Sequence, residues 1–281
     1  MRILITGAQG QLGRALQQAL SEEDLILKDL PEFDLTHSRS ESQIVAACPS
    51  VILHVGAYTN VDGAEREPDR AMAVNAQGTA VVARAAATLN ARLIYLSTDY
   101  VFDGTQTTPY REGDAPNPIN VYGQSKRAGE IAALTGCLNT LVVRTAWLYG
   151  HVGNNFVKTI MRLASEKSSL DVVGDQRGCP TNADDLAQAL LDLATSDLRG
   201  ICHVTNTGDC TWHEFAKAIV SLMDLSTPVR PITTAQAGRL AKRPPYSVLA
   251  QGRLGTVRPL LPHWEDALAR FVKATPHLAP C

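Results

Sequence analysis

Residues 2–13 read RILITGAQGQLG: an apolar, β-branched run, then glycines at 7, 10 and 13 leading into an amphipathic stretch from Gln11 to Leu20. A strand that turns through three glycines into a helix is the opening unit of a nucleotide-binding α/β domain. Glycine allows the tight turn, lets the backbone approach a phosphate, and lets helix and strand pack closely. The helix start, at Gln11 and Leu12, offers free N–H groups and the positive end of a dipole to a pyrophosphate. The spacing is G-x-x-G-x-x-G rather than the commoner G-x-G-x-x-G.

The pattern continues outward from this unit. LILK at 25–28, VILHV at 51–55, RLIYLS at 92–97, NTLVVRT at 139–145 and GICHVTN at 200–206 read as strands. Helical patterns include Gln43 to Ala47, 68–89, the segment carrying Tyr122 and Lys126, 154–164 and 183–194, the last with Asn182 or Thr181 as cap. A capping box, Thr211 with Glu214, opens a helix over 211–223, and 263–274 forms a last one. This rhythm predicts an α/β fold, a Rossmann-type doubly wound parallel sheet over 1–150 that binds NAD(P). The remainder, 151–281, is expected to be mainly a smaller C-terminal substrate-binding lobe, interleaved with the first.

Composition removes several function classes. The chain has 281 residues, 45% of them hydrophobic, and a formal net charge of −2. No global basic field is available for nucleic acid. No apolar run reaches the roughly 20 residues that span a bilayer, and the N-terminus lacks a signal-peptide layout. The expected compartment is the cytoplasm. Six cysteines, at 48, 137, 179, 202, 210 and 281, form no C-x-x-C pair. Several lie in apolar surroundings and read as buried thiols. No metal site is expected.

Candidate chemistry gathers at strand ends. Asp29 closes the second strand, where a carboxylate accepts hydrogen bonds from an adenosine ribose. No arginine lies immediately beside Asp29 to hold a 2′-phosphate, although Arg39 could fold back, so NADPH and NADH both stay open. Asp34 and Leu35 are candidates to flank the adenine, and Gly56, Ala57 and Tyr58 follow the third strand in HVGAY. Asn75 falls mid-helix, where asparagine is unfavourable, and is a candidate support for the site. STDYVFDG puts Thr98 and Asp99 at the end of the fourth strand, before a proline-rich loop. Thr98 is a candidate donor to a substrate carbonyl. In YGQSK, Tyr122 and Lys126 share one helix face. A cation beside a phenol favours the phenolate and lowers its pKa from about 10 toward the working range.

Taken together, GAQGQLG, STDYVFDG, NVYGQSK, RTAWLYG, NNFVK and DQRGCPT resemble the extended branch of the short-chain dehydrogenase/reductase superfamily. Within it they are similar to the dTDP-4-dehydrorhamnose reductase family, over nearly the whole chain. The resemblance implies NADPH- or NADH-dependent reduction of the C4 keto group of dTDP-4-dehydro-β-L-rhamnose, with a dTDP-sugar as partner and a monomer or homodimer as working form. It implies Tyr122 as catalytic acid, Lys126 as its partner and nicotinamide-ribose anchor, and Thr98 completing the triad. It further implies substrate contacts at Thr98, Asp99, Trp147, Asn155, Phe156, Lys158 and Arg243. Some family members dimerise around a divalent cation held partly by an acidic side chain on the first helix. Here Ala15 offers no carboxylate. Two other readings stand beside this one: a reductase of another dTDP- or UDP-4-keto-6-deoxy sugar, and a dinucleotide-binding regulatory subunit without turnover.

Overall fold

Alternation along the strands sorts the apolar residues into two layers. Ile3, Ile5, Leu53, Ile94, Leu141 and Val143 face one side of a sheet; Leu4, Ile52, Leu93, Tyr95 and Val142 face the other. In this computed structural model, which describes residues 1–275, the strands are β1 (Arg2–Thr6), β2 (Asp24–Lys28), β3 (Val51–His54), β4 (Arg92–Thr98), β5 (Thr140–Thr145) and β6 (Gly200–His203). Their order across the sheet is β6-β5-β4-β3-β1-β2, and every neighbouring pair is parallel. Such a sheet needs both faces covered. Helix α1 (Gln11–Ala19) and the Ala183–Thr195 helix cover one face; α2 (Ser40–Ala47), the Gly78–Thr88 helix and part of the Val121–Gly136 helix cover the other.

After β2 the chain crosses back over β1 to form β3. The carboxyl ends of β1 and β3 therefore part at a topological switch point, the usual ligand crevice of an open α/β sheet.

The second half of the chain supplies both a sheet strand and a separate apolar cluster. β6 pairs with β5, whereas Phe156–Glu166, Trp212–Leu222 and Trp264–Lys273 pack as helices around Tyr149, Phe215 and Phe271. Asn182 caps the Ala183–Thr195 helix, and the Thr211–Glu214 capping box is formed. Two short parallel strands, Leu170–Val173 and Val229–Ile232, lie beside this cluster. The sequence reading has no strand at either; the second contains Pro231, which removes a ladder donor.

The expected single helix over 68–89 is divided. Pro68–Met72 and Gly78–Thr88 are α-helical, and Ala73–Gln77 between them is a π-helical turn. Asn75 sits in that turn. Its side chain accepts from Tyr58 N at 2.8 Å and donates to Tyr58 O at 3.0 Å and Ser125 Oγ at 2.9 Å. The local widening lets an asparagine face inward and tie the β3 loop to the tyrosine-bearing helix.

Cys137, Cys179, Cys202 and Cys210 are buried and Cys48 is exposed; Cys281 lies outside the described residues. Among the described residues no helix is long and apolar enough to cross a membrane, and no group of three His, Cys, Asp or Glu side chains is arranged to hold a metal.

The Val121–Gly136 helix is fastened to the sheet by charge. Glu130 accepts from Arg144 Nε at 2.7 Å and Nη2 at 2.8 Å, and from Ser97 Oγ at 2.7 Å. Both partners of the pair are fully buried. Burial pushes the Glu130 carboxyl up, but the Arg144 hydrogen bonds and charge outweigh it and hold the group below its usual range. Removing one partner strands the other charge in the core. Glu130→Ala is expected to lower stability by about 3–5 kcal/mol, read from urea melts; a loss under about 1 kcal/mol would show that the pair does not hold the helix.

Candidate active site

Gly7 follows β1 and Gly56 follows β3, so the switch point brings their backbones together. A Cβ on Gly7 would lie 2.5 Å from Gly56 Cα, and one on Gly13 would lie 2.2 Å from Gly7 O. Gly7 also has φ +70°, a left-handed backbone that suits glycine. No side chain caps α1 at Gly10. The first N–H groups of that helix are thus free for an anion.

From this cradle a cavity of about 740 Å³ runs along the carboxyl edge of the sheet. Its walls include Gly7, Gly10, Gln11, Leu12, Gly13, Asp29, Gly56 and Ala57 at one end. Thr98, Asp99, Tyr122 and Lys126 line the other, and Trp147, Phe156 and Asn155 line the C-terminal side. The buried Thr145 residue also lines it, and its hydroxyl has no hydrogen-bond partner among the described residues. Glycines that a Cβ would fill, an open helix N-terminus and an orphaned hydroxyl fit a dinucleotide lying in this cavity.

The titratable groups at the inner end are all desolvated. Burial pushes Tyr122 up to about 12, with the Thr98 hydroxyl pulling it down and the Asp99 charge adding to the rise. Burial brings Lys126 down to about 7, opposed by the Glu130 charge. The Lys126 ammonium donates to Leu96 O at 2.7 Å and lies 4.2 Å from the centre of the Tyr95 ring. The expected lowering of the tyrosine by the lysine is not what this geometry gives. Burial dominates the phenol, and the ammonium is turned to the β4 backbone. Thr98 differs as well. Its hydroxyl donates to Asp99 Oδ1 at 3.0 Å and accepts from Tyr100 N at 3.2 Å.

Aromatic residues form the C-terminal wall. Trp147 stacks on Trp212 with centroids 3.5 Å apart and planes 6° apart, and Phe156 lies 4.5 Å from Trp212. Trp147 has φ +47°, a backbone state that disfavours non-glycine residues. The stack and the absence of a side chain at Gly178, where a Cβ would lie 2.6 Å from the indole, hold it there. Trp212 and Phe215 line the cavity, and sequence reasoning missed both. Trp212 is the first residue after a helix cap, a position usually exposed. Only its tertiary partner draws it into a wall.

Five expected site residues stand away from the cavity lining. Asp34 folds onto its own turn, accepting from Thr36 N at 2.8 Å and Thr36 Oγ1 at 2.7 Å. Leu35 is buried against the Gly78 backbone. The Tyr58 phenol donates to Glu67 Oε2 at 2.7 Å. Lys158 donates to the carbonyls of His151 and Gly153. Arg243 forms a fork with Asp62 at 3.0 and 3.2 Å, which occupies the guanidinium expected to clamp a pyrophosphate. Within the lining, Asp29 accepts from Gln9 N at 2.6 Å and Leu30 N at 2.8 Å. Asn155 caps its helix and donates to Gln11 Oε1 at 3.0 Å, bridging the two halves of the chain.

This geometry has close counterparts among known proteins. Residues 1–276 match the family model described as RmlD substrate binding domain. A dTDP-4-dehydrorhamnose reductase of Sinorhizobium fredii is 42% identical over 288 residues, covering 98% of this chain and 97% of the relative. A protein of Streptomyces antibioticus named as a probable dTDP-4,6-dihydroxy-2-methyloxan-3-one 4-ketoreductase is 40% identical, covering 95% of this chain and 93% of the relative. The crystal structure of a Bacillus anthracis dTDP-4-dehydrorhamnose reductase in complex with NADP superposes with a TM-score of 0.95 at 43% identity, covering 98% and 99% of the two chains. A Thermus thermophilus UDP-glucose 4-epimerase, 20% identical with a TM-score of 0.82, shares the fold. With its glycine cradle, its tyrosine–lysine helix and a match from end to end, the chain belongs to the RmlD substrate binding domain family.

Proposed function

We propose that this chain reduces the C4 keto group of dTDP-4-dehydro-β-L-rhamnose with NADPH or NADH, giving dTDP-L-rhamnose. One observation carries the reading: the glycine cradle and the Thr98, Tyr122 and Lys126 side chains open into one continuous cavity. Family membership supplies the substrate class, since the Sinorhizobium and Bacillus relatives are named for this reduction.

The cradle residues Gly7, Gly10, Gln11, Leu12 and Gly13 would hold the pyrophosphate, with Asp29 at the adenosine ribose and Gly56 and Ala57 against the backbone side. When bound, the reduced nicotinamide supplies the hydride for the sugar's carbonyl carbon. Tyr122, kept protonated by its burial, delivers a proton to the carbonyl oxygen as negative charge develops there. Lys126 would hold ribose hydroxyls and, with the cofactor bound, would offer positive charge to the phenolate left behind. Thr98 lies beside the phenol with its proton held by Asp99, which leaves a lone pair to position the Tyr122 hydroxyl. Trp147, Phe156 and Asn155 form the sugar-nucleotide side, and the aromatic wall limits the space around the deoxyhexose.

The Streptomyces antibioticus relative carries the name of a ketoreductase for a different dTDP-sugar. A second reading therefore keeps the chemistry and changes the sugar, and NMR of the product's stereochemistry separates the two. The reading brings with it the cytoplasm as compartment and a monomer or homodimer as working form, the latter read by sedimentation.

The direct assay is NAD(P)H consumption with the 4-keto sugar generated in situ, run with both cofactors. Tight cofactor binding without turnover on any keto sugar would instead favour a regulatory subunit. Tyr122→Phe is expected to lower kcat by about 10²–10⁴-fold with cofactor Kd unchanged; near-normal turnover would remove Tyr122 from its role. Lys126 has a depressed pKa of about 7, so its charge is present below that pH and is lost above it. Cofactor affinity should weaken as pH rises through this range, and Lys126→Met should flatten the dependence in a fluorescence titration.

A further inference from the structure

Among the described residues, Asp99 is the one buried carboxylate at the catalytic end of the cavity with no cation paired to it. It is 2% exposed. Arg243 acts on Tyr100 and pairs with Asp62, and Lys126 is turned to the Leu96 carbonyl. The titratable groups facing Asp99 are Tyr100 on its own turn, Tyr122 on the adjoining helix and Cys179 from the C-terminal half. Burial pushes all three up, so each stays neutral across the physiological range.

Two hydroxyls serve Asp99 instead. Thr98 donates to Oδ1 at 3.0 Å, and Ser247 donates to Oδ2 at 2.5 Å. Ser247 belongs to the KRPPYS segment, distant in sequence, and is itself 2% exposed. Its backbone is pinned on both sides. Ser247 N donates to Arg177 O at 2.8 Å, and the next carbonyl, Val248 O, accepts from Tyr110 N at 2.8 Å. Val248 and Leu249 are packed with Val101, Phe102 and Ala146. The segment is further tied down by the Arg243–Asp62 fork. The hydroxyl is thus delivered to Asp99 by a fixed backbone.

We propose that Ser247 is a positioning residue for the reduction, acting from the C-terminal half through Asp99 to fix the direction of the Thr98 hydroxyl beside Tyr122. The proposal rests on the reductase reading for the reaction it serves. Thr98 has one proton. With Asp99 charged, that proton goes to the carboxylate, and a Thr98 lone pair is left toward the phenol. With Asp99 protonated, the carboxylic acid can donate to Thr98 and turn the Thr98 proton toward Tyr122. Burial raises Asp99 to about 6, and the Ser247 and Thr98 hydrogen bonds oppose the rise. A donor to the charged form lowers a carboxyl pKa, so deleting it raises the value.

The test compares wild type with Ser247→Ala and Ser247→Thr, using carboxyl-¹³C aspartate labelling, with Asp99→Asn to assign the resonance. In Ser247→Ala the Asp99 titration should move up by about one unit. The acid limb of the kcat/KM profile should move with it, while cofactor Kd stays near wild type. Ser247→Thr, which keeps the hydroxyl, should restore both. If Ser247→Ala does not fold, Ser247→Cys, a weak donor, takes its place with the same expected shift. An unmoved Asp99 titration in a folded variant overturns the proposal, and so does an Asp99 shift that leaves the acid limb in place. A wild-type enzyme that reduces no 4-keto sugar would instead break the reductase reading, and the carboxyl titration would still report on the Ser247–Asp99 contact.

Discussion

The buried pair of Glu130 and Arg144 fixes the rest of the site. Arg144 belongs to β5 and Ser97 to β4, so one carboxylate on the Val121–Gly136 helix is bonded to two adjacent strands. Tyr122, Lys126 and Glu130 follow at four-residue intervals on one face of that helix. Fastening Glu130 therefore sets the height and rotation at which the phenol and the ammonium meet the carboxyl edge of the sheet. A buried ion pair is a costly fastener, because desolvation offsets much of its attraction. It is also a directional one, and the site depends on direction more than on added stability.

The cavity is assembled from both halves of the chain, and polar contacts close its seams. Asn155 reaches Gln11 beside the glycine cradle, Arg243 grips Asp62 near the tyrosine helix, and Ser247 meets Asp99 at the inner end. Between these seams the wall is aromatic, built on the Trp147–Trp212 stack. Asparagine and arginine residues that looked available for ligand from their place in the chain are thus partly committed to holding the two halves together. The same accounting applies to Lys126 and Thr98, whose hydrogen bonds face protein in this structure.

Much of the fold was legible because it rests on local signals. RILIT and RLIYLS are apolar runs with turns following, and Thr211 with Glu214 marks a helix start by chemistry alone. The π-turn at Ala73–Gln77 was not legible, since Asn75 earns its place through Tyr58 and Ser125, far off in sequence. The paired strands Leu170–Val173 and Val229–Ile232 were missed because each is short and defined only by its partner.

The sequence by itself determined the strand and helix rhythm, the glycine cradle and the face shared by Tyr122 and Lys126, because each depends on residues within a few positions of one another. Only the tertiary structure decided what those groups point at. It turned Lys126 to a backbone carbonyl, gave Arg243 to Asp62, drew Trp212 into the wall and set Ser247 against Asp99. Burial and hydrogen-bond partners are properties of the packed chain, and no local pattern encodes them.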